Sequence, residues 1–179
     1  MKNLLFILFT ILTFSCCDKD DDKPKTELEK LPPATQTGAQ TFGCLIDGKA
    51  FVPPKFGTNA PKAFYQFVGG NYTLGINAAT GGGNELRGLN IGCLDAPLIS
   101  ANNYILLEKF PPNYFGQYTV AGGIILNGTS SINLPGNLNI TRFDSANFII
   151  SGTFDFSVLD DNGKKIKITN GRFDMQYTN

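Results

Sequence analysis

The chain has 179 residues, 42% of them hydrophobic and 17% charged, and its 15 Lys and Arg residues balance its 15 Asp and Glu residues. This length fits a single domain with some additional sequence, and the low, balanced charge lacks the basic footprint of a nucleic-acid-binding protein. The absence of His removes the commonest general base and the commonest metal ligand, which argues against catalytic triads and zinc sites.

Residues 1–15 have the pattern of an export signal. A short basic start that contains Lys2 is followed by an almost wholly apolar run over residues 4–14. A bilayer-spanning helix needs ~20 apolar residues, so this run matches the apolar region of a signal peptide. The small residue Ser15 and then Cys16 follow. We therefore predict cleavage after Ser15 and acylation of Cys16 with palmitate-type chains, as in a bacterial lipoprotein, with these chains as the membrane anchor.

Two features leave alternatives open at this cleavage site. The strict lipoprotein pattern has Leu three residues before the cysteine, where this chain has Thr13, and Leu12 lies one step earlier. Cys17 offers a second register for acylation. The alternative to a lipoprotein is a plain secreted protein with two spare thiols.

Residues 16–34 are predicted to form an acidic, flexible tether. The segment has few apolar residues, contains Pro24, Pro32 and Pro33, and cannot bury enough surface to offset its loss of conformational entropy. Its charge is concentrated in the run Asp18, Lys19, Asp20, Asp21 and Asp22. The single domain is predicted to cover residues 35–179.

The domain is predicted to be all-β. From Thr41 onward, apolar and polar residues alternate and Gly/Asn turns recur, while helical periodicity is absent. Asp47-Gly48 predicts a type I′ hairpin turn, and Gly69-Gly70 separates the next two strands. These signals favour an antiparallel β-sandwich, with a closed or partly open β-barrel as the alternative.

In the last predicted strand, the apolar residues change from even to odd positions. Ile166 and Ile168 are apolar at even positions, whereas Phe173 and Met175 are apolar at odd positions. Because side chains of a strand alternate between its two faces, one extra residue must lie between the two sets. We predict a β-bulge at Asn170-Gly171.

Cys44 and Cys93 both fall in predicted strands of an exported protein. A disulfide between them is compatible with an oxidising compartment and would stabilise the fold by ~3–4 kcal/mol in the chain-entropy model. The alternative is two separate buried thiols that pack as small hydrophobic side chains.

One loop is the predicted ligand contact. It places Phe110, Tyr114 and Phe115 around the stiff pair Pro111-Pro112, and exposed aromatic rings on a rigid loop can stack on sugars or anchor a partner protein. The alternative is that these rings fold back to cap the core.

Catalytic and metal-binding motifs are not recognisable in the sequence. The turn at Asp160 resembles part of a calcium loop but lacks the spaced ligands and the closing Glu. A carboxylate-based hydrolase would need two converging acids, and the isolated candidates are Glu85, Asp95, Glu108 and Asp144. We therefore predict no metal, no cofactor and no catalytic residue.

Two stretches carry a family resemblance: "LPPATQTGAQTFGCLIDGKAFVP" from residue 31, and "ITRFDSANFIISGTFDF" with "GKKIKITNGRFDMQY" near the C-terminus. They resemble a family of uncharacterised Bacteroidota lipoproteins with a domain of unknown function. The resemblance implies that residues 35–38 belong to the start of the domain, so that the tether ends nearer Leu31. It also implies that the acidic run after Cys16 directs the lipoprotein to the outer face of the outer membrane, and it brings no activity to carry over.

The resulting hypothesis is a lipid-anchored β-domain on the cell surface that binds an envelope component, a protein or a glycan without catalysis. Its partners would be the lipid bilayer, through acylated Cys16, and one such ligand, but not nucleic acid. The alternatives are a secreted-type hydrolase using carboxylates and a purely structural envelope protein.

Overall fold

The computed structural model describes residues 24–95, 100–121 and 126–179. These residues form β-strands and one short 3₁₀ helix, Gly83–Glu85. The strands are β1 (Thr41–Ile46), β2 (Lys49–Phe51), β3 (Lys62–Val68), β4 (Asn71–Thr80), β5 (Arg87–Cys93), β6 (Asn102–Leu106), β7 (Tyr114–Val120), β8 (Leu126–Thr129), β9 (Gly136–Asp144), β10 (Ile149–Leu159) and β11 (Lys165–Thr178). Within these ranges no helix has the length and apolarity needed to cross a bilayer. The prediction of an all-β domain is confirmed.

Eight strands close into a mixed barrel. Around the ring their order is β10–β9–β6–β7–β5–β4–β3–β11, and β11 pairs with β10 to complete the circle. Two contacts are parallel, β6 with β7 and β11 with β3. The preferred prediction of an antiparallel sandwich is therefore wrong, and the alternative of a closed barrel is confirmed.

Closure depends on the last two strands, which have 11 and 14 residues. β11 pairs with β10 over most of its length, and its final residues Tyr177 and Thr178 then pair with Ala63 and Phe64 of β3. Long strands twist and coil strongly, which brings the edges of one sheet together. Alternation and turn residues are the same in a sandwich and a barrel, so the sequence pattern did not distinguish them.

The barrel interior is one continuous hydrophobic core. On β10 the inward positions include Ile150, Phe154, Phe156 and Val158, all buried. Each such side chain contributes about 1.5–3 kcal/mol of hydrophobic stabilisation. The β1–β2 hairpin pairs with β11 and contributes Phe42, Cys44 and Phe51 to the same core, and β8 extends the sheet beside β7.

The predicted bulge in β11 is confirmed. Thr169 and Asn170 together oppose the single residue Asp155 of β10. Asn170 has φ of 52°, a left-handed conformation that Asn tolerates better than most residues. Ile168 faces the core before the bulge and Phe173 faces it afterwards, so the extra residue restores the core pattern.

Two predicted hairpin turns are also confirmed. Asp47 and Gly48 have φ of 47° and 80°, the positive pair that a type I′ turn requires, and they join β1 to β2. Gly69 and Gly70, with φ of 64° and 98°, join β3 to β4.

Residues 24–40, which we call the strap, run along the outside of the barrel. The Glu27 carboxylate accepts a hydrogen bond of 2.7 Å from the backbone N–H of Ala50 in β2, and Leu31 is buried. Residues 24–34 therefore pack against the domain, and the predicted start of the domain at residue 35 lies too late. The earlier part of the predicted tether lies outside the described residues.

Candidate functional site

The predicted lipidation and export residues precede residue 24 and lie outside the described residues. They are Cys16, Asp18, Lys19, Asp20, Asp21 and Asp22. Acylation and surface export therefore stay predictions from the sequence.

The predicted disulfide between Cys44 and Cys93 is not formed. Both residues are free, fully buried thiols. Cys44 lies on β1 and Cys93 on β5, with β11, β3 and β4 between them in the sheet. The Cys93 thiol donates to the carbonyl of Pro112 at 3.2 Å. Burial raises the pKa of both thiols, so they stay protonated and act as small core side chains.

Phe110, Tyr114 and Phe115 do not form the predicted exposed cluster. Phe110 is 70% exposed, but Tyr114 and Phe115 belong to β7 and are buried. Tyr114 stacks on Tyr104 with ring centroids 4.3 Å apart, and the Lys109 Nζ lies 5.1 Å from the centroid of the Phe115 ring. The alternative of rings folded onto the domain holds for two of the three.

Glu108 and Asp144, two of the isolated carboxylates, bind groups of the fold. Glu108 accepts a hydrogen bond of 2.7 Å from the Ile132 N–H. Asp144 forms an ion pair of 2.6 Å with Arg142, and hydrogen bonds from Asn147 and Arg142 hold the pKa of Asp144 well below its usual range. In the part of the chain that the structure describes, no group of three or more Cys, Asp or Glu side chains is placed to hold a metal ion.

A cluster of aromatic side chains lies at one end of the barrel. Since β3 and β11 run parallel, they finish at the same end, where the β3–β4 and β9–β10 turns also lie. We call this cluster the aromatic mouth, and its members are Tyr65, Phe67, Tyr72, Phe143, Phe148 and Tyr177.

Stacked and edge-on contacts connect the rings of the aromatic mouth. Tyr65 stacks on Tyr72 with centroids 4.7 Å apart, and Phe143 stacks on Tyr177 at 5.3 Å. Tyr65 meets Phe143 edge-on at 5.4 Å, which joins the two pairs. Such pairs contribute about 0.5–1.5 kcal/mol each beyond burial, so the rings are held in place before any ligand arrives.

The aromatic mouth is also open to solvent. Phe67 is 64% exposed, and Tyr72 and Phe148 are 40% exposed. A cavity of about 150 Å³ lies among the rings, with Ser145 and Asn179 at its polar edge. Ligand pockets for small molecules usually enclose ~300–1,000 Å³. The cavity is therefore the size of one inserted side chain, with exposed rings around it.

This site could not be predicted from the sequence, because its rings come from four separate strands and one turn. The sequence around two hairpin turns does contain an indication of this aromatic cluster. Phe67 and Tyr72 flank the Gly69-Gly70 turn, and Phe143 and Phe148 flank the turn between β9 and β10. Two hairpin turns with an aromatic residue on each side indicate a common aromatic end only once the strand order is known.

Asp174 of β11 fastens the strap to the barrel. Its fully buried carboxylate accepts hydrogen bonds from the hydroxyls of Thr35 and Ser151 at 2.6 and 2.7 Å. It also accepts backbone N–H donors of Thr37 and Gly38 at 2.8 and 2.7 Å. We call this arrangement the Asp174 clasp. Through it, Thr35, Thr37 and Gly38 of the strap are hydrogen-bonded directly to β11.

The Asp174 clasp stabilises a charged carboxylate. Burial by itself raises the pKa of Asp174, but hydrogen bonds from Thr35, Thr37, Ser151 and Gly38 outweigh burial and bring the pKa well below the ordinary 3.8. The group is therefore ionised at neutral pH with its oxygens occupied by donors. This environment suits a structural role for Asp174.

The strap enters the domain at the end opposite the aromatic mouth. Glu27 binds Ala50, beside the β1–β2 turn. In that turn, Asp47 exchanges hydrogen bonds of 2.9 Å with the backbone of Lys167, near the start of β11. Tyr177 of the aromatic mouth lies at the other end of β11.

No family model, curated protein or solved structure matches this chain. The family resemblance drawn from the sequence therefore stays a prediction, and the site has to be interpreted from its own geometry.

Proposed function

We propose that this protein is a lipid-anchored binding module of the outer membrane that captures a partner protein through the aromatic mouth. Acyl chains on Cys16 hold it in the bilayer, and the acidic run from Asp18 to Asp22 directs it to the exterior. The proposed role of the barrel is to bind a partner, without catalysis.

The observation that carries the proposal is the position of the strap relative to the aromatic mouth. The chain leaves Cys16, reaches the barrel near Glu27 and Ala50, and the exposed rings lie at the far end. A protein tethered in this way presents Phe67, Tyr72 and Phe148 away from the membrane, where a partner can reach them.

The size and chemistry of the aromatic mouth favour a protein partner. The cavity of about 150 Å³ is too small for a typical organic ligand and fits one apolar side chain. Aromatic residues are enriched among the few interface residues that carry most of the binding energy. Phe67 and Phe148 then act as the flanking contacts that exclude water from an inserted anchor.

Site-specific crosslinking in cells tests the partner. A photoreactive phenylalanine is placed at Phe67 or Phe148 in the anchored protein, with Phe56, which is 81% exposed, as the control. We expect a discrete crosslinked protein at both mouth positions and none at Phe56. Absence of a product at the mouth, or the same product at Phe56, would contradict the proposal.

The anchor and its address are tested separately. Cys16→Ser should release the exported protein from the membrane fraction. Replacing Asp20, Asp21 and Asp22 with Ala should keep it anchored but reduce its cleavage by external protease. A Cys16→Ser protein that stays in the membrane, or unchanged protease access, would refute the corresponding step.

A further inference from the structure

A row of polar side chains crosses five adjacent strands on the outer wall of the barrel. In register, Lys62 pairs with Asn77, Asn77 with Asn90, Asn90 with Gln117, and Gln117 with Thr129. Strand neighbours of the first four residues belong to the core, so alternation turns the four outward. We call this set the amide row. It presents three carboxamides side by side.

A groove of about 420 Å³ lies along the amide row. Asn77, Asn90 and Thr119 line one part of it, and Asn59 lines another. At Gly88, an added Cβ would find its nearest neighbour 4.0 Å away, so the absence of a side chain there keeps the groove open. Its lining includes Lys62 but no carboxylate.

Asn90 has an unused hydrogen-bonding atom in this groove. Its Oδ1 is screened from solvent and has no partner among the residues described. A buried polar atom without a hydrogen-bond partner destabilises the folded state. The terminal torsion of Asn is soft, so a small rotation lets the amide pair with a ligand in the groove. The site therefore has an acceptor available for a donor such as a hydroxyl.

A second row of paired residues, next to the amide row, contains two phenyl rings. Phe64 pairs with Gly75, Gly75 with Gly92, and Gly92 with Phe115. A Cβ on Gly75 would come within 2.4 Å of the Phe64 ring, so this ring lies against the bare backbone of the glycine. Phe64 is partly exposed and offers a flat apolar surface beside the amides.

We propose that the amide row and its groove bind an oligosaccharide laid across the strands. The carboxamides of Asn77 and Asn90 line the groove and both donate and accept, as sugar hydroxyls do. Gln117 lies next to them in register, and its Oε1 accepts a hydrogen bond of 3.3 Å from Lys109. Adjacent strands are ~4.8 Å apart, a spacing comparable to one pyranose unit of an extended chain. The Phe64 ring supplies the apolar surface on which the C–H face of a sugar packs. This site is separate from the aromatic mouth.

The test uses the full lipidated chain in a detergent without a sugar headgroup. Cellohexaose, xylohexaose and a galacturonic acid hexamer serve as probes in titration calorimetry. We expect at least one probe to bind, and the double variant Asn77→Ala/Asn90→Ala to weaken that binding at least tenfold. The matched control is Asn137→Ala/Asn139→Ala on the exposed outer face of β9, which should leave it unchanged.

Gly88→Val provides a second variant, because it fills the groove without altering an amide. We expect it to abolish binding while the thermal midpoint stays within the range of the control. Phe67→Ser in the aromatic mouth should not affect sugar binding, which separates this proposal from the capture of a partner protein. Failure of all three probes, or equal losses in the control, would overturn the proposal.

Discussion

The hydroxyl of Thr35 donates a hydrogen bond of 2.6 Å to the carboxylate of Asp174, 139 residues further along the chain. This contact joins the strap at the start of the domain to the strand that closes the barrel. Asp174 therefore fixes the strap to the same strand whose last residues close the barrel.

Asp174→Ala is expected to destabilise the domain by about 3 kcal/mol, because it removes a charged acceptor and leaves buried donors unsatisfied. Urea unfolding of the lipid-free chain measures the change. Asp155→Ala is the matched control, since Asp155 is exposed and accepts a hydrogen bond of 3.1 Å from the exposed side chain of Asn137; it should lie within about 0.5 kcal/mol of the wild type. Equal effects of the two substitutions would contradict a special role of Asp174.

Stability is expected to fall in acid. The folded-state pKa of Asp174 is lower than its ordinary value of 3.8, so its contribution is complete above about pH 4 and is lost as the pH falls through this value towards the folded-state pKa. The lowered pKa of Asp144 acts in the same direction. Urea midpoints measured between about pH 3 and pH 7 give the dependence of stability on pH. This dependence should be weaker in Asp174→Asn. An unchanged pH dependence of stability in that variant would argue against the Asp174 clasp as the cause of the loss of stability in acid.

Gly43→Ala is expected to displace the strap. A Cβ at Gly43 would lie 2.6 Å from Cδ of Pro32, which is shorter than any ordinary contact, and overpacking of this kind costs about 1–3 kcal/mol. Limited proteolysis should cut the strap faster in this variant. Gly82→Ala is the control, because its Cβ would meet nothing within 4 Å. Equal cleavage rates would show that the strap is not held at Gly43.

Local features of this chain could be predicted because they depend on neighbouring residues. The bulge at Asn170 follows from a change of parity within one strand, and the Asp47-Gly48 turn follows from two residues that accept positive φ. The closed barrel, in contrast, depends on Tyr177 reaching Ala63. No local pattern encodes that contact, so a sandwich and a barrel looked alike.

The candidate sites were harder to predict for the same reason. Tyr114 looked like a loop residue beside two prolines, yet it starts β7 and stacks on Tyr104 inside the barrel. Asn77 and Asn90 lie on different strands, and only the register of β4 and β5 places them side by side. Asp174, whose sequence neighbours face the core, gave no sign that Thr35 would cover it.

The two buried thiols give a further prediction. In a Cys16→Ser/Cys17→Ser background, Cys44 and Cys93 should resist a maleimide reagent in the native protein and both react after denaturation without reductant. Burial keeps them protonated and inaccessible. Mass spectrometry counts the labels, and a protein that takes up labels only after reduction would show that they form a disulfide.

In the proposed arrangement, the barrel is anchored at one end and presents the aromatic mouth at the other. Energy transfer to a lipid dye in vesicles measures this directly, with a fluorophore on Ser145→Cys at the mouth or on Asn162→Cys in the exposed β10–β11 turn at the opposite end. We predict stronger transfer from position 162 than from position 145 in the lipidated protein. Equal transfer from both positions, or stronger transfer from position 145, would contradict this orientation of the barrel on the membrane.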